Sequence, residues 1–225
     1  IPGPRRIGKT SLAREFMRRN KEHYHFIFFD LEGKRSLIEF CEDLLREMES
    51  KKMIFKDIWD TVSEMFSGVQ SRIAEIRMKK LEFPLKDIMR TCENILKKLT
   101  EENMVLIMDE FSDFLFHLSD NKEAELFLSW LRSLRHKNYL RMIITGSVNI
   151  TSTVEELNCM NYINDLPSIR INPLAKHEVL ELLAALLKEK NIIIKEDALS
   201  FILDKLTDGI PFYLQLLVDK ITDEL

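Results

Sequence analysis

Gly3-Pro4-Arg5-Arg6-Ile7-Gly8-Lys9-Thr10-Ser11 fits the pattern G-x-x-x-x-G-K-[ST] of a phosphate-binding loop. The letters have a physical reason. Gly3 and Gly8 permit backbone angles that a Cβ resists, so successive N–H groups can turn inward around an anion. Pro4, Arg5, Arg6 and Ile7 fill the loop between them. Lys9 offers a point charge for the β- and γ-phosphates, the Thr10 hydroxyl can ligate Mg²⁺, and Ser11 continues into a helix. That helix would aim its positive end at the same phosphates. Taken alone, the loop predicts a bound phosphate, or else a Gly-rich turn before an ordinary helix; only with the acids Asp109 and Glu110 does the expected ligand become ATP or ADP with Mg²⁺. The loop normally follows a buried central strand. Only Ile1 and Pro2 stand before Gly3, so the sequence is expected to be a fragment, with that strand mostly absent.

Downstream, apolar periodicity alternates between strand and helix. Residues 9–20 read as a helix with Leu12, Phe16 and Met17 as its apolar stripe. Residues 24–30 (YHFIFFD) read as a strand buried on both faces. Residues 36–50 are helical, and Ser36 with Glu39 has capping-box spacing. In 51–83, an amphipathic helix around Ile54, Ile58, Val62, Met65 and Phe66 competes with a short strand or hairpin at 76–83. Pro84 opens the next helix, which runs to about Thr100. Met104-Val-Leu-Ile-Met-Asp109-Glu110 is a second buried strand with two carboxylates at its end. Helices are expected near 111–118 and 122–137. A third strand runs from Arg141 to Ser147, a polar helix or loop covers 149–164, and Ser168–Ile171 is a further strand candidate. Beyond it the pattern is helical only: about 175–190, 195–207 and 211–224, with Gly209-Ile210-Pro211 as the break between the last two. The switch near residue 172 predicts an α/β domain over 1–172 and a small helical lid over 173–225.

In a parallel α/β sheet, ligands bind beyond the carboxyl ends of the strands. That gathers the loop, Asp30, Asp109-Glu110 and Thr145-Gly146-Ser147 on one edge. Asp109 can hold Mg²⁺ with Thr10, and Glu110 can polarise a water for in-line attack on the γ-phosphate. Alternatively, the two acids only favour a helix N-terminus. Thr145 and Ser147 could sense the γ-phosphate or position the water, or simply be small turn residues around Gly146. Asp30 is a turn residue or a more distant acid. Pro211, with Ile210, could pack on the adenine base or merely open a helix.

The 225 residues carry 45% hydrophobic and 31% charged side chains and a net charge of −4. That balance suits a globular chain and gives no global pull toward nucleic acid. No apolar run reaches the ~20 residues of a membrane span, and no signal peptide is visible. Cys41, Cys92 and Cys159 lack metal-ligand spacing and read as reduced thiols, so a cytoplasmic location is expected. Basic residues cluster around the first helix (Arg5, Arg6, Arg14, Arg18, Arg19, Lys21) and before the third strand (Arg132, Arg135, His136, Lys137, Arg141). They are solvated faces, or contacts to phosphate, a neighbouring subunit or DNA.

Together the stretches GPRRIGKTSL (3–12), MVLIMDEF (104–111), IITGS (143–147), INPL (171–174) and GIPFYL (209–214) resemble the archaeal-type ATPase family. That family lies in the AAA+/STAND group of P-loop ATPases, related to origin-recognition and cell-division-control ATPases. The resemblance implies five parallel strands in the order 5-1-4-3-2 and a helical lid. It assigns Lys9 and Thr10 to phosphate and Mg²⁺, Asp109 to the Walker B position and Glu110 to the catalytic base. Ser147 or Thr145 becomes the first sensor, and Gly209 and Pro211 lie beside the base and ribose. It implies a winged-helix DNA-binding domain or a nuclease-like domain outside this sequence, hence DNA as a candidate partner; other copies of the chain are a further candidate partner, and no membrane is expected, for want of an apolar span. Two departures stand out. No Arg occurs between Met142 and Ile169, where a ring ATPase often carries its arginine finger, and none follows Arg170.

Three functional readings result. The first is a slowly hydrolysing ATPase module that couples nucleotide state to lid and effector-domain position. The second is a nucleotide-dependent switch or scaffold without significant turnover, in DNA transactions, defence or regulation. The third, a small-molecule kinase, fits less well, because paired acids suit activation of water better.

Overall fold

β2 (Met104–Asp109) is buried along its whole length, and its alternation sorts the molecule into layers. In the computed structural model, which describes residues 1–51, 63–65, 67, 68, 70, 71, 74, 85–118, 121–146, 150–205 and 209–224, Met104, Leu106 and Met108 face one large core. Val105 and Ile107 face a smaller one. β2 is flanked in parallel by β1 (His25–Asp30) and β3 (Met142–Ile144), giving the order β1-β2-β3. The register pairs Asp30 with Asp109 and Met108 with Ile144. Beyond β3, Pro2 bridges Gly146 in parallel, and the Ile1 amine donates to the Ile144 carbonyl at 2.6 Å. The loop's start is thus docked next to the third strand.

On the large-core side lie α2 (Leu37–Ser50), α3 (Leu85–Glu101), α4 (Phe111–His117) and α5 (Asn121–His136). Phe40 of α2 is the hub, with ring centroids 5.2 Å from Phe29, 4.8 Å from Phe127 and 5.8 Å from Phe114. The expected cap of α2 forms in a shifted version. Ser36 Oγ accepts from the Glu39 N–H at 3.2 Å, while Glu39 reaches back to the Arg35 N–H at 2.8 Å. Ala13 of α1 (Lys9–Asn20) covers the opposite face, with Met17 packed beside it. This corrects the expected stripe of α1. Leu12 and Phe16 are 45% and 39% exposed, because the small Ala13 is the residue that meets the sheet. Phe16 only meets the edge of Phe26, at 5.7 Å.

After β3 come α6 (Ile150–Glu156) and a 3₁₀ turn at Met160–Tyr162. Ser168–Ile171, expected as a strand, runs without regular structure. Among the described residues it has no strand partner. Then α7 (Lys176–Glu189), α8 (Glu196–Lys205) and α9 (Pro211–Glu224) pack on one another. Val179, Leu183, Ile202, Leu214 and Val218 form a core separate from the other two. Gly209 makes the bend into α9, with φ +71. Its carbonyl accepts from the Leu174 N–H at 2.7 Å, and a Cβ there would lie 2.4 Å from the Leu174 carbonyl oxygen. The expectations for the helix around 54–66, for 76–83 and for Pro84 fall mostly outside the described residues.

Candidate functional site

Strand parity puts the chemistry together. Asp109 follows Val105 and Ile107 on the face covered by α1, so its carboxylate meets the first turn of that helix. Thr10 Oγ1 donates to Asp109 Oδ2 at 2.6 Å. Asp109 Oδ1 accepts from the Glu110 N–H at 3.1 Å and from the Thr145 hydroxyl. Asp109 is 5% exposed and Thr145 fully buried. The carboxylate therefore joins three segments that are far apart in sequence.

The first turn of α1 is unusual in two ways. Its N-cap is Gly8, at φ +99, so no side chain caps the free N–H groups, and no acidic residue stands there. The positive end of the helix is left for an external anion. Lys9, only 5% exposed, donates to the Gly3 and Pro4 carbonyls at 2.9 and 2.8 Å. Those bonds bend the loop around its ammonium. Burial pushes the Lys9 pKa below its ordinary value. The carboxylates of Glu110 and Asp109 pull it back up, and Arg5 adds to the depression.

A cavity of about 350 Å³ opens over this turn. Arg5, Arg6, Gly8, Lys9, Thr10 and Ser11 line it from the loop, and Glu110 lines it from the end of β2. Glu32 closes one side, and Pro211, Phe212 and Gln215 of α9 face the loop. The volume is within the range of small-molecule sites. Gly3 and Pro4 instead border a second cavity, about 640 Å³, between the loop and residues 168–173. Ile7 is buried beneath the loop.

Backbone strain singles out the same place. Among the described residues, six other than glycine have positive φ, and four are asparagines, which tolerate that region. The other two are Arg6 (φ 67) and Glu110 (φ 52). Both line the cavity. A left-handed residue with a long side chain costs roughly 1–2 kcal/mol, and such strain concentrates at functional sites.

The donor chemistry fits a hard cation. Thr10 and Asp109 present oxygen only, as Mg²⁺ prefers. Among the described residues no cluster of three or more His, Cys, Asp or Glu exists, so the ion would take its remaining ligands from phosphate and water. That is the usual arrangement for Mg²⁺ on a nucleotide.

The structure thus brings Arg5, Arg6, Gly8, Lys9, Thr10, Ser11, Glu110 and Pro211 to one cavity, with Asp109 joined to it through Thr10, whereas Gly3, Pro4 and Ile7 do not line it. Thr145 does not line the cavity; its hydroxyl is on Asp109. Ser147 lies outside the described residues. Asp30 is a turn residue, accepting the Glu32 N–H at 3.0 Å. Glu32, Phe212 and Gln215 escaped the sequence reading. Only the position of Phe212 next to Pro211 could have hinted at one of them. The second basic cluster is largely held within the fold. Arg135 grips Asp165 with two bonds, at 2.7 and 3.0 Å. Lys137 pairs with Glu93 at 2.8 Å, and Arg141 donates to the Thr100 carbonyl at 2.9 Å. Around the first helix, Arg18 and Arg19 share Glu15. Among the described residues no helix is long and apolar enough to cross a membrane.

The sequence model of a family described as "ATPase domain predominantly from Archaea" matches residues 1–217. No curated protein sequence matches. Among solved structures, the fold is similar to the Walker-type ATPase of Pyrococcus abyssi, with a TM-score of 0.57 and 20% identity. The match covers 99% of this chain and 65% of that one, so the chain spans under two thirds of that relative's length.

Proposed function

The chain belongs to the family of P-loop ATPase domains found predominantly in Archaea, and from that premise we propose a Mg²⁺-dependent, slowly hydrolysing ATPase module of the AAA+/STAND type. Nucleotide state would be coupled to the position of a helical lid, residues 173–225, against an α/β body, residues 1–172. Lys9 and the N–H groups of the loop bind the polyphosphate. Thr10 and Asp109 hold Mg²⁺, which neutralises charge on the phosphate oxygens when bound. Glu110 takes a proton from the attacking water. Ser147 or Thr145 acts as the sensor, and Pro211 lies against the base. The parallel bridge from Pro2 to Gly146 supports a sheet in which the loop's strand continues beside β3, as the order 5-1-4-3-2 requires. Further copies of the chain, and DNA contacted through another domain, remain part of the proposal, as does a cytoplasmic location.

The observation that carries this reading is the convergence on one cavity of Lys9, Thr10 and Glu110 with the first turn of α9. The test is ATP binding and phosphate release. Lys9→Ala should abolish binding, whereas Glu110→Gln should keep ATP bound and lose turnover by about 10²-fold or more. Hydrolysis that survives both changes would refute the assignment. The lack of Arg over 142–169 and beyond Arg170 favours a second reading, a switch without turnover. Tight ATP binding with no phosphate release, even with DNA present, would select it.

A further inference from the structure

The Arg6 guanidinium lies over the ring of Phe212, with Cζ 4.1 Å from the ring centroid. This contact joins the phosphate loop directly to the first turn of α9. Arg6 is exposed and makes no ion pair or hydrogen bond among the described residues. Its backbone is nevertheless held at φ 67. A guanidinium that stacks on an aromatic ring uses only its face. Its N–H donors lie in the plane, around the edge, and stay available to phosphate oxygens. Arg6 and Lys9 line the same cavity.

We infer that Arg6 and Phe212 form a latch that reads polyphosphate charge and transmits it to the lid. The inference rests on the nucleotide reading above. Phosphate oxygens bound at the guanidinium edge fix the Arg6 side chain, and its fixed face then holds Phe212 and α9 against the loop. The bend at Gly209 is the joint about which α9 is held, since its carbonyl accepts from Leu174 at 2.7 Å. Arg6 is a positioning residue for the lid as well as a phosphate ligand. It supplies in cis a cation that the sequence lacks over 142–169 and after Arg170. Because the latch reads charge, a base-free polyphosphate should close it, and adenosine should not.

The test uses the full 225-residue chain with fluorophores on Glu22→Cys and Lys220→Cys, both exposed positions. The three native cysteines are buried. Energy transfer and binding are followed with ATP, inorganic tripolyphosphate and adenosine. ATP and tripolyphosphate should each narrow the distance distribution, and adenosine should leave it unchanged. Arg6→Asn, which accepts the left-handed backbone, should abolish that response and weaken tripolyphosphate by about tenfold. Phe212→Tyr should keep the response and Phe212→Leu should lose it, a split that loss of bulk packing alone would not give. An Arg6→Asn chain that binds and responds like wild type would overturn the latch, and so would equal behaviour of the two Phe212 variants. Lys9→Ala separates the two claims. If it binds ATP as wild type does, the nucleotide reading fails. If it loses binding while Arg6→Asn changes nothing, only the latch fails.

Discussion

Thr145→Val is the sharpest test of how Asp109 is held. Valine has nearly the shape of threonine, so at a fully buried position the change removes little except the hydroxyl. Among the described residues, Asp109 Oδ1 then keeps only the Glu110 N–H, at 3.1 Å. A hydrogen bond to a charged group contributes about 1.5–3 kcal/mol, and each kcal/mol shifts Tm by about 2–4 °C in a chain of this size, so the expected loss is about 3–12 °C. Thr145→Ser keeps the hydroxyl and should lose only about 1 kcal/mol, from the missing methyl. Calorimetry on the ligand-free chain reads these shifts. A double-mutant cycle with Asp109→Asn then isolates the pair, with an expected coupling of at least about 1 kcal/mol. In hydrolysis assays, Thr145→Val should raise the Mg²⁺ concentration at half-maximal rate, because the carboxylate proposed to face the ion loses a support. Additive mutations and an unchanged Tm would refute the geometric argument. An unchanged Mg²⁺ midpoint together with lost discrimination between ATP and ADP would show instead that Thr145 senses phosphate directly.

Two further outcomes follow from the structure. Gly209→Ala and Gly8→Ala both force alanine to a positive φ, at a cost of roughly 1–2 kcal/mol. Only at Gly209 does the new Cβ also meet backbone, 2.4 Å from the Leu174 oxygen, whereas nothing lies within 4 Å at Gly8. Gly209→Ala should therefore lower Tm further, by an additional overpacking cost of about 1–3 kcal/mol, and equal losses in calorimetry would contradict that. Asp165 is held below its ordinary 3.8 by the two-point grip of Arg135. A depressed carboxylate pKa stabilises the fold above the unfolded value, and that contribution disappears as pH falls through the folded one. The stability gap between wild type and Arg135→Gln in urea titrations should thus be constant above about pH 5 and shrink below pH 3.8; a gap unchanged down to pH 2 would contradict this origin.

Much of the architecture was legible because burial leaves a strong mark on sequence. Two apolar runs, 24–30 and 104–109, could only be strands inside a layered sheet. The expected helices over 9–20, 36–50 and 175–190 also form, within a residue or two. The failures share a cause. The pattern of α1 made Leu12 and Phe16 look buried, but periodicity reports which residues share a face, not how closely that face approaches its neighbour. The close approach at Ala13 leaves the larger side chains at the rim. Ser168–Ile171 has strand-like composition, yet a strand exists only when an edge pairs with it. In the candidate site, the nearness of Lys9, Thr10, Asp109 and Glu110 was readable because their motifs are local and end at the same edge of the sheet. Glu32, Phe212 and Gln215 were not, because they reach the cavity through the packing of α9 and the β1–α2 turn, which no local pattern encodes.

The geometry of Asp109 divides its two oxygens by role. Oδ1 is occupied by Thr145 and the Glu110 N–H, groups fixed by β3 and by the start of α4. Among the described residues, Oδ2 accepts only from Thr10, a hydroxyl on the first turn of α1, which also lines the cavity. Thr10 Oγ1 and Asp109 Oδ2 are the oxygens that would hold a cation bound there, while Oδ1 would keep its own partners. The carboxylate is therefore oriented by the protein's own groups. Orientation of a ligating group by its outer neighbours is what keeps such a site productive. The same β2 terminus places Glu110 in its strained backbone state. Its position relative to Asp109 is thus set by the fold and not by the nucleotide.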